Sequence, residues 1–200
     1  MAGPVPAISL MRALCQPHRG HRDTPGGDRK EMPTEPLTFL FKDDGSVPNN
    51  PLPMLVYKSA LNLGADPEGE IEGLFNRDGW DHGQWRNGIF PFVHYHSMIH
   101  EALGVARGYA RVRFGGDSGE ELALAPGDVA VLPAGTGHQR LSDERGLVVI
   151  GAYPPQGTYD LCRGGNAEHD EALATIPLVP VPLSDPVHGK NGPLPKLWRP

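Results

Sequence analysis

The sequence predicts an all-β protein built as an antiparallel barrel, and three observations predict it. Short apolar runs alternate with period two, as where Ala110, Val112 and Phe114 interleave with Arg111 and Arg113. Turn signals separate these runs at short intervals, in Asp43-Asp44-Gly45, in GGDSGEE (115–121) and in Pro126-Gly127-Asp128. The chain holds 26 Gly and 22 Pro, as many short strands joined by tight turns require.

Composition narrows the class. Two hundred residues bound one domain plus extensions. A net charge of −6 argues against nucleic acid as the main partner. No apolar run approaches the ~20 residues that span a bilayer. The opening MAGPVPAISLMRALC lacks a basic stretch before its apolar residues, so it does not read as a signal peptide. A cytoplasmic protein without a membrane partner is expected. Cys15 and Cys162 are too few for a disulfide framework and have no metal-type spacing.

Residues 1–33 read as a disordered tail, polar, rich in Gly and Pro and without a period. His18 and His21 within it read as solvated side chains rather than a metal pair. Met32 opens a sequence that reads as a natural start, which makes residues 1–31 a possible start-site artefact. Residues 34–200 are read as one domain, with the barrel core at about 85–155.

LTFLF (37–41) is a strand candidate, and Met54 to Tyr57 a second one that its flanking prolines place at a sheet edge. Asp66-Pro67-Glu68 reads as N-cap, N1 and N2 of a short helix with Ile71, Leu74 and Phe75 on one face. In GWDHGQWRNGIFPF, Trp80, Trp85 and Arg86 form either a pocket wall or a plug at the barrel end. His82 falls in a Gly-rich turn, exposed and not a ligand.

From Phe90 the period is two. Phe90, Phe92, His94 and His96 share the inward parity, with Val93 and Tyr95 opposite. Glu101, Leu103 and Val105 likewise share a face, which sets His100 on the other side and excludes it as a ligand. Gly108 permits a tight turn. Strands are expected at Leu122–Leu124, at VAVLP (129–133) and at LVVIGAY (147–153), the last letting Tyr153 reach the barrel mouth. Arg140 shares the parity of His138. It is either a clamp for a substrate carboxylate or a rim arginine paired with Asp143 or Glu144. NAEHDEALATI reads as a helix. The Pro-rich tail after it carries Leu194, Leu197 and Trp198, which pack along the body or onto a second subunit.

His94, His96, Glu101 and His138 have the chemistry of a metal site. Two histidines two apart on a strand send both imidazoles to one face. Three neutral nitrogens and one carboxylate suit a divalent first-row ion such as Fe, Mn, Ni, Co or Zn. Buried without partners, such groups would cost about 1–3 kcal/mol each, and an ion removes that cost.

These residues resemble the two cupin motifs. The first is His94-x-His96, four residues, Glu101, six residues and Gly108; the second is Gly127, five residues, Pro133-x-Gly135, two residues and His138. All four ligand positions are filled, and Ser142 stands where the family pattern usually ends in Asn. FNRDGW, WRNGIF, LPAGTGH, GAYPP and the tail near Leu197-Trp198 also resemble a bacterial group of small single-domain cupins. The resemblance implies a single jelly-roll cupin barrel rather than a tandem pair, and a metal at those four positions. It also implies a homodimer, since cupins of this size often pair.

Four protein ligands leave two positions open on a six-coordinate ion, which admits oxygen insertion, decarboxylation or isomerisation. The leading expectation is a metal-dependent enzyme of oxygenase type acting on a small polar or carboxylated molecule. The others are a non-catalytic cupin that binds a small ligand as sensor or store, and a closed structural zinc site.

Overall fold

In the computed structural model, residues 35–199 are described. Their strands are Leu37–Phe39 (β1), Met54–Tyr57 (β2), His82–Asn87 (β3), Glu101–Phe114 (β4), Glu120–Leu124 (β5), Val129–Leu132 (β6) and His138–Tyr153 (β7). The helices are Pro67–Arg77 (α1), Asn166–Thr175 (α2) and Leu194–Leu197 (α3). The expectations for the tail, for His18, His21 and Cys15, and for a start at Met32 lie outside the described residues.

Every strand pairing is antiparallel, in the order β1-β2-β6-β4-β7-β3, with β5 added to β4. Two long strands carry the architecture. β4 pairs with β6 through residues 101–104, with β5 through 110–114, and with β7 along both halves. Between the halves the register shifts around Arg107 and Tyr109, and φ is positive at Gly108 (70°), Arg145 (58°) and Gly146 (67°). A Cβ on Gly108 would lie 2.6 Å from the Glu144 carbonyl oxygen, so the two strands can turn together here only because residue 108 has none. The tight turn expected at Gly108 is therefore a bulged corner inside one continuous strand. The corner folds the two halves of the ladder toward each other and makes the barrel.

Alternation sorts the core into two layers. Met54, Val56, Leu103, Val105, Val112, Phe114, Ala130 and Leu132 pack together in one, and Leu55, Tyr57, Ala102, Val129 and Val131 point the other way to meet Ile71, Phe75, Trp80 and Trp198. All four residues of β2 are buried because both its faces are covered, and β1 and β6 flank it on either side. This corrects the edge position expected from its prolines; the short β1 supplies the edge instead.

α1 forms as its sequence dictates. The Asp66 carboxylate accepts from the Gly69 N–H at 3.2 Å, Pro67 opens the helix, Glu68 and Glu70 sit in the first turn, and Ile71, Leu74 and Phe75 are buried. At the C-terminus, the fully buried Asp185 accepts from the Val187, His188 and Leu194 N–H groups at 2.8, 3.1 and 3.0 Å, and from the Tyr57 hydroxyl. Burial, reinforced by Asp185, pushes the Tyr57 pKa well up. Trp198 donates its Nε1–H to the Pro53 carbonyl at 2.8 Å. The tail thus packs along its own barrel, with Leu194 and Trp198 buried and Leu197 partly exposed. Among the described residues, no helix is long and apolar enough to cross a membrane.

Candidate metal centre

Three segments bring the site together. His94 and His138 exchange backbone hydrogen bonds, His94 N–H to His138 O at 3.1 Å and His138 N–H to His94 O at 2.9 Å. That places their imidazoles side by side, with ring centroids 3.9 Å apart. His96 follows two residues on, its carbonyl accepting from the Gly135 N–H at 2.7 Å. Glu101 opens β4. All four are buried.

The three imidazoles offer ligand atoms that all lie within 4.8 Å of one another. Each Nδ1 faces a backbone carbonyl: His94 that of Phe92 at 3.1 Å, His138 that of Thr136 at 3.2 Å, and His96 that of Asp160. A carbonyl can only accept, so in the neutral form of each ring the proton sits on Nδ1 and the Nε2 lone pair is left free. Glu101 Oε2 lies 3.5 Å from His96 Nε2 and 3.3 Å from His138 Nε2, outside the mutual set of the three histidines. This Oε2 is buried and has no hydrogen-bond donor. Converging lone pairs beside an undonated carboxylate oxygen fit a divalent cation, and they fit little else.

The charges follow. Burial disfavours the Glu101 carboxylate, but His96 and His138 outweigh it and hold the group below the usual carboxylate range. Burial also opposes a charged His96, and the Glu101 carboxylate outweighs it and moves that imidazole up. His94 falls to about 3, through burial and then the neighbouring His138.

The cluster forms the floor of a cavity of about 410 Å³, walled by Trp85, Ile89, Phe90, Leu103, Tyr153 and Tyr159, with His82, Arg86 and Asn87 also lining it. The indole of Trp85 lies flat over Gly151, where a Cβ would come within 2.0 Å of the ring, and donates its Nε1–H to the Tyr153 hydroxyl at 3.0 Å. Burial, then Glu101, raises the Tyr153 pKa far above a free phenol.

Some expectations are corrected here, while the rim arginine paired with Asp143 and the outward His100 hold. Trp80 does not line the cavity; it is fully buried in the core, bonded to the Ser184 carbonyl at 2.8 Å. Arg140 is absent from the wall because Asp143, three residues on, pairs with its guanidinium while the Ile89 carbonyl accepts from its Nε at 2.9 Å. Arg86 reaches the cavity, but Glu72 of α1 holds it at two points. The Gly-rich turn expected around His82 is β3, with His82 exposed at its start. Phe90 lines the cavity as its parity predicts, but at the mouth, 40% exposed, and the segment 88–93 is irregular rather than strand. His100 is turned away, its Nδ1 accepting from the Ala134 N–H at 2.9 Å and its ring 4.8 Å from that of Trp198.

Residues 159 and 160 had no signal in the sequence. Tyr159 lies against His96 and Tyr153, with ring centroids at 5.0 and 5.7 Å. Asp160 supplies the carbonyl for His96, while its carboxylate accepts from the Ser97 N–H, the Ser97 hydroxyl and the Met98 N–H. They lie in an irregular loop, where neither period nor motif marks a contact some sixty residues away.

No family model matches the chain. It is 39% identical over 168 residues to YjlB of Bacillus subtilis (strain 168), an uncharacterized protein, covering 84% of this chain and 99% of that one. Among solved structures, acireductone dioxygenase from Bacillus anthracis, with a cadmium ion in its active centre, is similar over 52% of this chain and 80% of its own, at 18% identity and a TM-score of 0.36. A variant of Bacillus subtilis oxalate decarboxylase is similar over 59% of this chain and 29% of its own, at 16% identity and a TM-score of 0.31.

Proposed function

This chain belongs to the family of YjlB, and we propose that it is a cupin and a metal-dependent enzyme of oxygenase type acting on a small polar or carboxylated molecule. One observation carries the reading. Three imidazoles have their Nδ1 atoms pinned by backbone carbonyls, and their Nε2 lone pairs converge beside Glu101 on the floor of an open cavity. In this proposal His94, His96, Glu101 and His138 hold a divalent ion, whether Fe, Mn, Ni, Co or Zn. An ion held there would supply a Lewis acid at the cavity.

The chain's own residues favour oxygenation over isomerisation. Among the described residues that line the cavity the only carboxylate is Glu101, already part of the centre, so none of them offers a second carboxylate to take a proton from carbon. The walls are largely apolar and aromatic. A closed structural zinc fits less well, because the cluster opens onto a cavity. A homodimer belongs to the same proposal. Its surface would include Leu178 and Leu183, which are exposed, rather than Leu194 and Trp198, which the barrel itself covers.

Elemental analysis of protein purified without chelator or His-tag tests the reading. Near-stoichiometric metal is expected, with most of it lost in His96→Ala while the barrel stays folded on its separate apolar layers. Oxygen uptake with small phenols and carboxylates is then expected in the loaded wild type alone. Full metal occupancy in the variant would sink the ligand assignment, and a well-folded, metal-free wild type would bring the ligand-binding reading forward.

A further inference from the structure

The walls of the cavity say more about its occupant than the metal centre does. Trp85, Phe90, Tyr153 and Tyr159 surround the space above the histidines with Ile89 and Leu103, and His82, Arg86 and Asn87 are the polar part of the wall. The aromatic rings are ordered by contacts among themselves: Trp85 bonds to the Tyr153 hydroxyl, Tyr153 meets Tyr159 edge-on at 5.7 Å, and Phe90 meets His94 edge-on at 5.1 Å. Among the described residues, no unpaired guanidinium or ammonium lines the cavity. Arg86 is held at two points by Glu72, and Arg140, outside the wall, is paired with Asp143.

A small dicarboxylate could offer one carboxylate to the ion, but its second would be desolvated against aromatic rings without a countercharge, at considerable cost. A flat ring with two adjacent oxygens meets the site differently. The oxygens reach the ion, and the ring lies among aromatic side chains that favour offset or edge-on contact. A volume of about 410 Å³, toward the small end of ligand cavities, admits one such ring and excludes extended polymers.

Resting on the metal-centre reading above, we infer that the substrate class is a small single-ring aromatic vicinal diol or hydroxy-carbonyl compound, and not an aliphatic dicarboxylate. Trp85, Phe90, Tyr153 and Tyr159 are its specificity wall. The two aromatic residues at the mouth, Phe90 at 40% and Tyr159 at 52% exposure, can be truncated without opening the core.

The test is titration of metal-loaded protein, its metal content measured separately, with 4-nitrocatechol and with oxalate. One 4-nitrocatechol per metal is expected, with a shift of its visible band, and displacement by oxalate only at concentrations about tenfold higher or more. Tyr159→Ala and Phe90→Ala are expected to weaken the diol about three- to tenfold with metal content unchanged. Oxalate binding as tightly as the diol, or both variants binding it like the wild type, overturns the inference. A wild type that takes up no metal is a failure of the metal reading instead. Tryptophan fluorescence then decides: quenching by catechol that Tyr159→Ala weakens supports the aromatic wall, and no quenching overturns it.

Discussion

Glu101 Oε2 and His138 Nε2 lie 3.3 Å apart, although the two residues occupy opposite ends of the ladder between β4 and β7. The residue beside Glu101, Ala102, pairs with Ala152, while His138 pairs with Phe114, twelve positions along the same strand. On a flat sheet that interval would span roughly 40 Å. The corner at Gly108 and Arg145–Gly146 folds the ladder back on itself, so the candidate centre exists only when the barrel closes.

The His96 ring is oriented by a loop and not by a strand. Asp160→Ala removes the carboxylate that ties Ser97 and Met98 to this loop, and with it the anchor of the carbonyl that His96 uses. Metal affinity is expected to fall about 10- to 100-fold, as for loss of an outer contact to a ligand. Competition with a chromophoric chelator measures it; unchanged affinity would mean that the His96–carbonyl contact forms without the Asp160 carboxylate.

Gly151 lets the Trp85 indole lie flat against the sheet. Gly151→Ala puts a methyl group about 2.0 Å from the ring. The expected loss is about 1–3 kcal/mol of stability, from overpacking, together with weakened aromatic ligand binding. Chemical denaturation reads the first and the 4-nitrocatechol titration the second, while metal content stays at the wild-type level.

Asp185 is the hook of the C-terminal segment. Asp185→Ala strands three backbone N–H groups and the Tyr57 hydroxyl in a buried place, and about 3–5 kcal/mol of destabilisation is expected. Tyr57→Phe, which leaves the three backbone donors in place, is expected to cost less. Denaturant midpoints for the two variants should fall in that order.

His169 on α2 bonds through Nε2 to Asp43 at 2.8 Å. This bond raises the imidazole pKa, while the Gly45 N–H and then His169 lower that of Asp43. A raised histidine contributes fully below its unfolded value of about 6.5, and the contribution disappears as pH rises through the folded value; the lowered Asp43 contributes above about 3.9. His169→Asn should therefore lower the melting temperature more at about pH 5.5 than at about pH 8.5, by about 1–3 °C. Equal losses at both values would mean that the pair acts by packing and not by charge.

The sequence by itself determined what short-range spacing can encode. Period-two alternation named the inward and outward residues of 110–114, Asp66-Pro67 opened α1, and the parity that set His100 opposite Glu101 agrees with its outward contacts in the structure. The residues singled out for metal chemistry are those the fold gathers: three histidines in one cluster, with Glu101 against two of them. Tertiary structure decided everything that depended on distant partners. Trp80 and Trp85 looked alike in sequence, yet the C-terminal segment claims Trp80 for the core, and Gly151 seats Trp85 at the cavity. Arg86 gave no sign in sequence of its partner Glu72, and Arg140 stood between a clamp and a rim arginine until the fold paired it with Asp143. Tyr159 and Asp160 were silent because their contacts with the His96 segment cross some sixty residues of chain, a separation that barrel closure bridges and local periodicity cannot record.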